Sequence, residues 1–197
     1  MHSSSSTSAA EPTALHISNQ KLGIWVLLGS EAVFFSALIV TYLVFHTKGT
    51  SGPKANEVLD VGLTAVNTFV LICSSLTMVT ALSAIERGSV AGLRNWLAAT
   101  ALLGLAFLSG QAIEFTKLFG LGASLGSNLF GATFFTLTGF HGAHVFVGVI
   151  WISFVMARVL RGGMTQQKHE AVELVGLYWH FVDLVWIIIF TVVYLIQ

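Results

Sequence analysis

Cysteine, proline and charge are all scarce in this chain of 197 residues. It has one cysteine and two prolines, and charged residues make up 9% of the sequence. A single cysteine excludes both an internal disulfide framework and a cysteine-based metal site. Soluble domains carry about 25% charged residues, so this charge content also excludes an ordinary soluble domain. The nine basic and nine acidic residues balance, and no basic patch indicates a nucleic-acid partner.

Hydrophobic residues dominate instead, at 55% of positions, and the mean hydropathy is +0.82. They form continuous apolar runs, each at least the roughly 20 residues that cross about 30 Å of hydrocarbon. Continuous runs predict helices, because the strands of a membrane barrel alternate apolar and polar residues. The predicted fold is an all-α, polytopic membrane protein with five transmembrane helices, at residues 22–45, 58–85, 93–119, 128–160 and 172–196.

The N-terminal segment differs in composition from the rest of the chain. Residues 1–20 are rich in serine and threonine and lack the basic start and apolar core of a cleavable signal peptide. We expect a disordered tail over residues 1–20 and one transmembrane domain over residues 21–197. Five spans put the N-terminus and the second and fourth loops on one side, which holds six of the nine basic residues. The positive-inside rule therefore predicts a cytoplasmic N-terminus.

Two acidic residues lie well inside the predicted spans, where no lysine or arginine of the same span can neutralise them. Glu31 is in the first span and Asp183 is in the fifth. A carboxylate at the centre of a membrane helix costs about 2.5–3.5 kcal/mol on insertion scales, so such residues are rare and usually functional. The two spans run in the same direction, which places both acids roughly 14–17 Å deep at 1.5 Å per residue.

Histidines fall at a similar depth and complete a predicted polar layer. His141 and His144 share a face of the fourth span, and His180 precedes Asp183 by one helical turn. With Glu31, these residues have three possible roles. They can hydrogen-bond between helices, form a proton-handling or lipid-contacting site around a protonated Glu31, or bind a first-row metal. Because H-x-x-H and H-x-x-D are weak motifs, we predict no metal site.

Four further side chains are candidates for contacts with lipid or another subunit. Gln111 and Glu114 share a face near the outer end of the third span, where a solvated helix end is the favoured interpretation and a partner contact the alternative. Trp179 and Trp186 lie on the same stripe of the fifth span as Asp183. Aromatic residues beside an acid can pack against lipid chains or against a partner helix.

Four segments carry a resemblance to a known family. They read LLGSEAVFF at residues 27–35, GQAIEF at 110–115, TGFHGAHV at 138–145 and YWHFVDLVW at 178–186. Together they resemble subunit III of haem-copper terminal oxidases, in the short bacterial form with five helices. The resemblance covers residues 21–197, and the last two segments make it specific because such strings are chemically unusual in membrane helices.

The resemblance implies a non-redox accessory subunit of a proton-pumping terminal oxidase in the bacterial cytoplasmic membrane. The implied partners are subunits I and II, which would hold the haem and copper, whereas this chain would hold neither. Bound phospholipid, support of proton uptake and stabilisation of the catalytic subunit are also implied. Glu31 matches the family position that reacts with carbodiimides, a reaction that needs a protonated carboxyl.

Two alternatives to a cytochrome c oxidase subunit stay open. Quinol-oxidising relatives share the resemblance, although the Ser-Glu pair at residues 30–31 and Tyr178 favour the cytochrome c branch. A self-sufficient proton or solute transporter is the other alternative. Such transporters usually show inverted repeats and helices broken at glycine or proline. The sequence has no internal repeat, and no proline falls within a predicted span.

Overall fold

The computed structural model describes residues 18–45, 59–126, 128–165 and 169–196. Over these residues it has five long helices: α1 (Asn19–Phe45), α2 (Val61–Glu86), α3 (Val90–Gly120), α4 (Leu129–Leu160) and α5 (Glu170–Phe190). A π-helical turn, Thr191–Leu195, continues α5. All five helices are long and apolar enough to cross a membrane. The predicted all-α fold with five membrane helices is confirmed.

The first helix begins earlier than the sequence predicts. Asn19 and Gln20 belong to the first turn of α1 and not to a tail. The reason is local, because Ser18 Oγ accepts the backbone N–H of Lys21 at 3.2 Å and so caps the helix. Ser18 Oγ also donates a hydrogen bond to Glu170 at the start of α5. The rest of the predicted tail, residues 1–17, lies outside the described residues.

Polar side chains cap the N-termini of the next three helices. The side chains of Asp60, Ser89 and Asn128 accept backbone N–H groups in the first turns of α2, α3 and α4, at 3.0, 3.1 and 2.7 Å. Each cap satisfies a donor that the helix itself cannot pair, and this matters more in a membrane than in water. Gly88 follows α2 with φ of 80°, a left-handed conformation that glycine adopts without a steric penalty.

The helices pack in an order that places α5 at the centre. α2 and α3 form a tight antiparallel hairpin, in which Asn67 Nδ2 donates to the Phe107 carbonyl at 3.0 Å. α5 packs against α2, α4 and α1, and α1 packs against α4 and α5. Most apolar side chains of α1 are exposed, whereas α5 buries about half of its central residues. A face of α1 is therefore available to lipid or to another protein.

Two glycines, one on α3 and one on α4, leave space for the Trp179 side chain of α5. A Cβ atom on Gly104 would lie 2.7 Å from Trp179 Cη2, and one on Gly148 would lie 2.9 Å from the same indole ring. Trp179 fills the space that these missing side chains leave, and its Nε1 donates to Ser74 Oγ on α2 at 2.9 Å. This arrangement joins four helices around one buried aromatic ring.

Candidate functional site

Glu31 points from α1 toward α4 and meets a histidine there. Its Oε2 lies 3.1 Å from Nε2 of His144. The side chains of Glu31 and His144 are 22% and 20% exposed, so the pair lies at the surface of the helical bundle and not in its core. The structure therefore brings together two of the five residues of the predicted polar layer.

Three contacts fix the position of His144. Its Nδ1 lies 2.7 Å from the carbonyl oxygen of Phe140, one turn earlier on α4. Tyr178 on α5 donates its hydroxyl to the backbone carbonyl of His144 at 3.1 Å. The Phe35 ring packs edge-on against the imidazole, with centroids 5.0 Å apart. The imidazole therefore has one orientation, and that orientation presents Nε2 to Glu31.

A shallow apolar groove of about 380 Å³ opens beside this pair. Its walls come from α1, α4 and α5, and Glu31, His144 and Tyr178 supply its polar atoms. The other lining residues are Leu27, Phe140, Ala143 and Val147. No lysine or arginine lines this groove within the described part of the chain. Among the described residues, His144 is therefore the one basic side chain that lines this groove.

His180 and Asp183 lie at a different helix interface. They face α2, where His180 Nδ1 is 3.3 Å from Ser75 Oγ and the same serine hydrogen-bonds the Asp183 carboxylate. Asp183 is buried, and its Oδ1 has no hydrogen-bond partner among the described residues. These two side chains form a polar group of their own, without Glu31.

His141 stands apart from both groups. It is fully buried, and its ring stacks on Trp186 with centroids 4.8 Å apart. Phe35 and Phe107 pack edge-on against it. Neither ring nitrogen has a hydrogen-bond partner in the part of the chain that the structure describes. The i,i+3 spacing of His141 and His144 therefore does not create a common site, because one side chain faces the core and the other the groove.

The four candidates for contact with lipid or another subunit lie inside the helical bundle: Trp179, Trp186, Gln111 and Glu114. All four side chains are buried within this chain. Trp186 Nε1 donates to Thr68 Oγ1 on α2 at 2.9 Å, much as Trp179 bonds Ser74. The physical reason is that α5 is the central helix, so its aromatic stripe faces neighbouring helices and not the membrane.

Glu114 forms a polar cluster that the sequence does not reveal. Tyr194 Oη lies 3.0 and 2.9 Å from its two carboxylate oxygens, and Thr64 Oγ1 lies 2.9 Å from Oε1. The solvated helix end that the sequence favours is thus incorrect. The π-helical turn Thr191–Leu195 contains Tyr194, and π turns often occur at functional sites. The available signal was that Thr64, Glu114 and Tyr194 all lie near the same end of the bundle.

Chemically, the Glu31 site can bind and exchange a proton. A carboxyl group and an imidazole in contact form an acid–base pair, so a proton can pass from one to the other. Among the described residues, no three histidine, cysteine, aspartate or glutamate side chains are grouped so that they could hold a metal ion. Glu31 and His144 would supply only two ligands.

Comparison with known proteins identifies relatives for nearly the whole chain. The family model described as cytochrome c oxidase subunit III matches residues 3–197. The chain is 40% identical to quinol oxidase subunit 3 of Bacillus spizizenii over 174 residues, which cover 88% of this chain and 85% of the relative. It is 39% identical to cytochrome c oxidase subunit 3 of Bacillus subtilis over 188 residues, which cover 94% of this chain and 90% of the relative.

A relative from another bacterial group gives the same result. Cytochrome bo(3) ubiquinol oxidase subunit 3 of Pseudomonas aeruginosa is 37% identical over 179 residues, which cover 90% of this chain and 85% of the relative. The match to the family model extends over all five helices, including the Glu31 groove. The chain therefore belongs to the cytochrome c oxidase subunit III family, the third subunit of haem-copper terminal oxidases.

Proposed function

We propose that this chain supports proton uptake and protects the catalytic subunit of a bacterial terminal oxidase that reduces O2 and pumps protons. The observation that carries the proposal is the Glu31–His144 contact at an apolar groove. A carboxyl in a membrane helix is costly to insert, so its retention beside a proton-accepting imidazole favours proton handling over packing. The chain itself performs no redox step in this proposal.

The proposed partners are oxidase subunits I and II, which would hold the haem and copper centres. Membership of the family supports assembly with other oxidase subunits. The exposed apolar face of α1 is consistent with burial against a neighbouring chain or lipid. The bacterial origin of the relatives supports the cytoplasmic membrane as the location. The excess of basic residues in the second and fourth loops supports a cytoplasmic N-terminus.

Phospholipid binding is proposed at the grooves along α1. The groove beside Glu31 is apolar over most of its wall. A second groove of about 510 Å³ lies between α1, α2 and α5, with Lys21, Glu86 and Glu173 among its lining residues. Lys21 Nζ forms an ion pair with Glu173 Oε2 at 2.5 Å. Apolar walls with charged groups near one end match the chemistry of a lipid chain below a headgroup.

Cytochrome c is the proposed electron donor of the complex, and a quinol is the second candidate. The Ser-Glu pair at residues 30–31 and Tyr178 favour the cytochrome c form. A specific observation supports the quinol alternative, because relatives named for quinol oxidation are as similar to this chain as those named for cytochrome c. Turnover of the purified oxidase with reduced cytochrome c, compared with turnover on a quinol, distinguishes the two donors.

Purification in a mild detergent tests the proposal as a whole. An affinity tag on this chain should recover haem-bearing subunits in constant proportion, with optical spectra typical of a terminal oxidase. A stand-alone transporter would be recovered alone and would move protons or solute after reconstitution in vesicles. Recovery of the chain without haem from membranes that contain active oxidase would contradict the proposal.

A further inference from the structure

The hydrogen bonds of His144 determine which ring nitrogen carries a proton. Nδ1 lies 2.7 Å from the Phe140 carbonyl oxygen, and a carbonyl oxygen can only accept a hydrogen bond. Nδ1 must therefore be the donor. In a neutral imidazole the other nitrogen, Nε2, then carries a lone pair and no proton. The backbone of α4 thus selects one tautomer of His144.

That tautomer leaves one proton to be placed between His144 and Glu31. Nε2 and Oε2 are 3.1 Å apart, and two lone pairs at this distance would repel each other. The contact is attractive only when a proton lies between them. Either Glu31 is a neutral acid that donates to Nε2, or His144 is an imidazolium that donates to the carboxylate. Transfer of the proton from Oε2 to Nε2 converts the first state into the second, and the net charge of the pair stays zero.

Within the described part of the chain, the surroundings offer no other partner for this proton. On α5, Tyr178 faces the pair, but its hydroxyl donates to the His144 carbonyl. On α4, His141 contacts Phe35 and Trp186 and lies in the core. The remaining side chains that line the groove are apolar. The two side chains therefore form one acid–base pair that opens to an apolar groove.

We propose that Glu31 and His144 bind a single shared proton between Oε2 and Nε2, and that His144 is a positioning residue that receives this proton from the Glu31 carboxyl. The inference deepens the proposed function, on which it rests, by naming the group that exchanges the proton with Glu31. It distinguishes Glu31 from Glu114, whose oxygens contact only hydroxyl groups among the described residues. A hydroxyl cannot take up a second proton near neutral pH, whereas an imidazole can.

Carbodiimide labelling across a range of pH tests the pair, because the reagent reacts with the protonated carboxyl. The tagged oxidase complex is labelled with dicyclohexylcarbodiimide, and the modified α1 peptide is quantified by mass spectrometry. In the native complex the shared proton lies on His144 part of the time, so we expect Glu31 to label incompletely. In His144→Phe, Glu31 has no base to receive its proton. At the same pH, Glu31 of this variant should then label more strongly than Glu31 of the native complex.

Two further variants separate proton sharing from packing. His144→Gln can hydrogen-bond Glu31 but cannot take up a proton, so it should behave like His144→Phe. His180→Phe, in which the replaced histidine faces Ser75, is the matched control and should label as the native complex does. A native labelling profile in His144→Phe, or its restoration in His144→Gln, would overturn the proposal.

An infrared measurement keeps the test decisive if the His144 variants do not assemble. The C=O stretch of the protonated carboxyl is assigned in the native complex by its loss in Glu31→Gln. We expect this band and imidazolium signals of one histidine to be present together, and both to weaken when rising pH removes the shared proton. A band of constant intensity without imidazolium signals would refute the shared proton. Recovery of haem-bearing subunits in the same preparations tests the proposed function separately. A failure of the shared-proton proposal can therefore be distinguished from a failure of the proposed role as an oxidase subunit.

Discussion

Three carboxylates lie within the helical bundle, and each has different neighbours. Glu31 contacts an imidazole at the edge of a groove, Asp183 contacts a serine near His180, and Glu114 contacts two hydroxyls in the core. Of these three acids, and within the described residues, Glu31 alone combines a base at hydrogen-bond distance with access from the membrane. Access and a partner base, and not burial alone, make Glu31 the candidate for proton handling.

Glu31→Gln should abolish carbodiimide labelling of this chain and leave its assembly intact. The carboxamide offers no protonated carboxyl to the reagent, while its oxygen and nitrogen can still hydrogen-bond His144. We expect the stability to change by no more than about 1 kcal/mol, the net contribution of a typical hydrogen bond. Labelling is measured on the α1 peptide by mass spectrometry, and assembly by the haem content of the tagged complex.

Glu114→Gln is the matched control for that experiment. Glu114 is an acid of the same type on a membrane helix, but it is buried beneath Tyr194 and Thr64. Its substitution should leave labelling at the native level. Modification that persists in Glu31→Gln at the same helix would show that Glu31 is not the reactive acid.

His141→Phe should leave the stability of the subunit equal to that of the native chain or higher. His141 buries two ring nitrogens that lack a hydrogen-bond partner in the described residues, and such a group costs about 1–3 kcal/mol. Phenylalanine keeps the aromatic contact with Trp186 and removes the unpaired atoms. The apparent melting temperature in detergent measures the change, and His144→Phe, which loses a polar contact, should melt lower. A clear loss of stability in His141→Phe would mean that its nitrogens have a partner.

Glycines have different roles at different places along α4. Gly148 faces the Trp179 ring, so the helix approaches α5 closely there. Gly139 and Gly142 face open space in the structure, where a Cβ atom would meet nothing within 4 Å. Close helix packing thus depends on Gly148 and, on α3, on Gly104. The two outward glycines contribute nothing to packing within the described residues.

Gly148→Ala should therefore destabilise the bundle, whereas Gly142→Ala should not. The added Cβ of residue 148 would lie 2.9 Å from two atoms of a rigid ring, and overpacking of this kind costs about 1–3 kcal/mol. At position 142 alanine has space and improves helix propensity by up to about 1 kcal/mol. Both variants are compared by their apparent melting temperatures. Equal melting temperatures would contradict the assigned role of Gly148.

The arrangement of the five helices constrains the orientation of the chain in its membrane. The turns after α2 and after α3 lie at opposite ends of an antiparallel hairpin. Arg87 is exposed in the first turn and Leu121 in the second. A single measurement on each turn is therefore sufficient to determine the direction of all five helices.

Single cysteines at these two turns should react from opposite sides of the membrane. In a Cys73→Ser background, Arg87→Cys should react with a membrane-impermeant maleimide only when the cytoplasmic face is accessible. Leu121→Cys should react in intact cells whose outer envelope is permeable to the reagent. The reverse pattern would disprove the cytoplasmic N-terminus that the basic residues predict.

The sequence predicts the helices of this protein well because their signal is local. A run of apolar residues long enough to cross the bilayer specifies a helix whatever surrounds it. Helix ends are predicted to within a few residues. α1 begins three residues earlier than its predicted span, because the Ser18 hydroxyl caps it there. The sequence predicted that Glu31 and His144 lie at a similar depth in the membrane, but it did not predict that they contact each other.

The rotation of each helix about its axis depends on packing, and the sequence alone leaves it open. His141 and His144 illustrate this, since one turn of α4 separates a core position from a groove position. Trp179 and Trp186 illustrate it again, because the central place of α5 turns its aromatic stripe inward. Glu114 meets Tyr194 across 80 residues of sequence, a contact that no local pattern encodes.

Hydrophobic runs and their number predicted a membrane protein with five helices, and a set of unusual polar strings carried its resemblance to oxidase subunit III. Which polar side chains contact one another was decided by tertiary structure. The physical reason is that insertion energy depends on the composition of each segment, whereas a hydrogen bond depends on a distance of about 3 Å between helices. Only the packed bundle sets that distance, and it does so for Glu31 and His144 at the open groove.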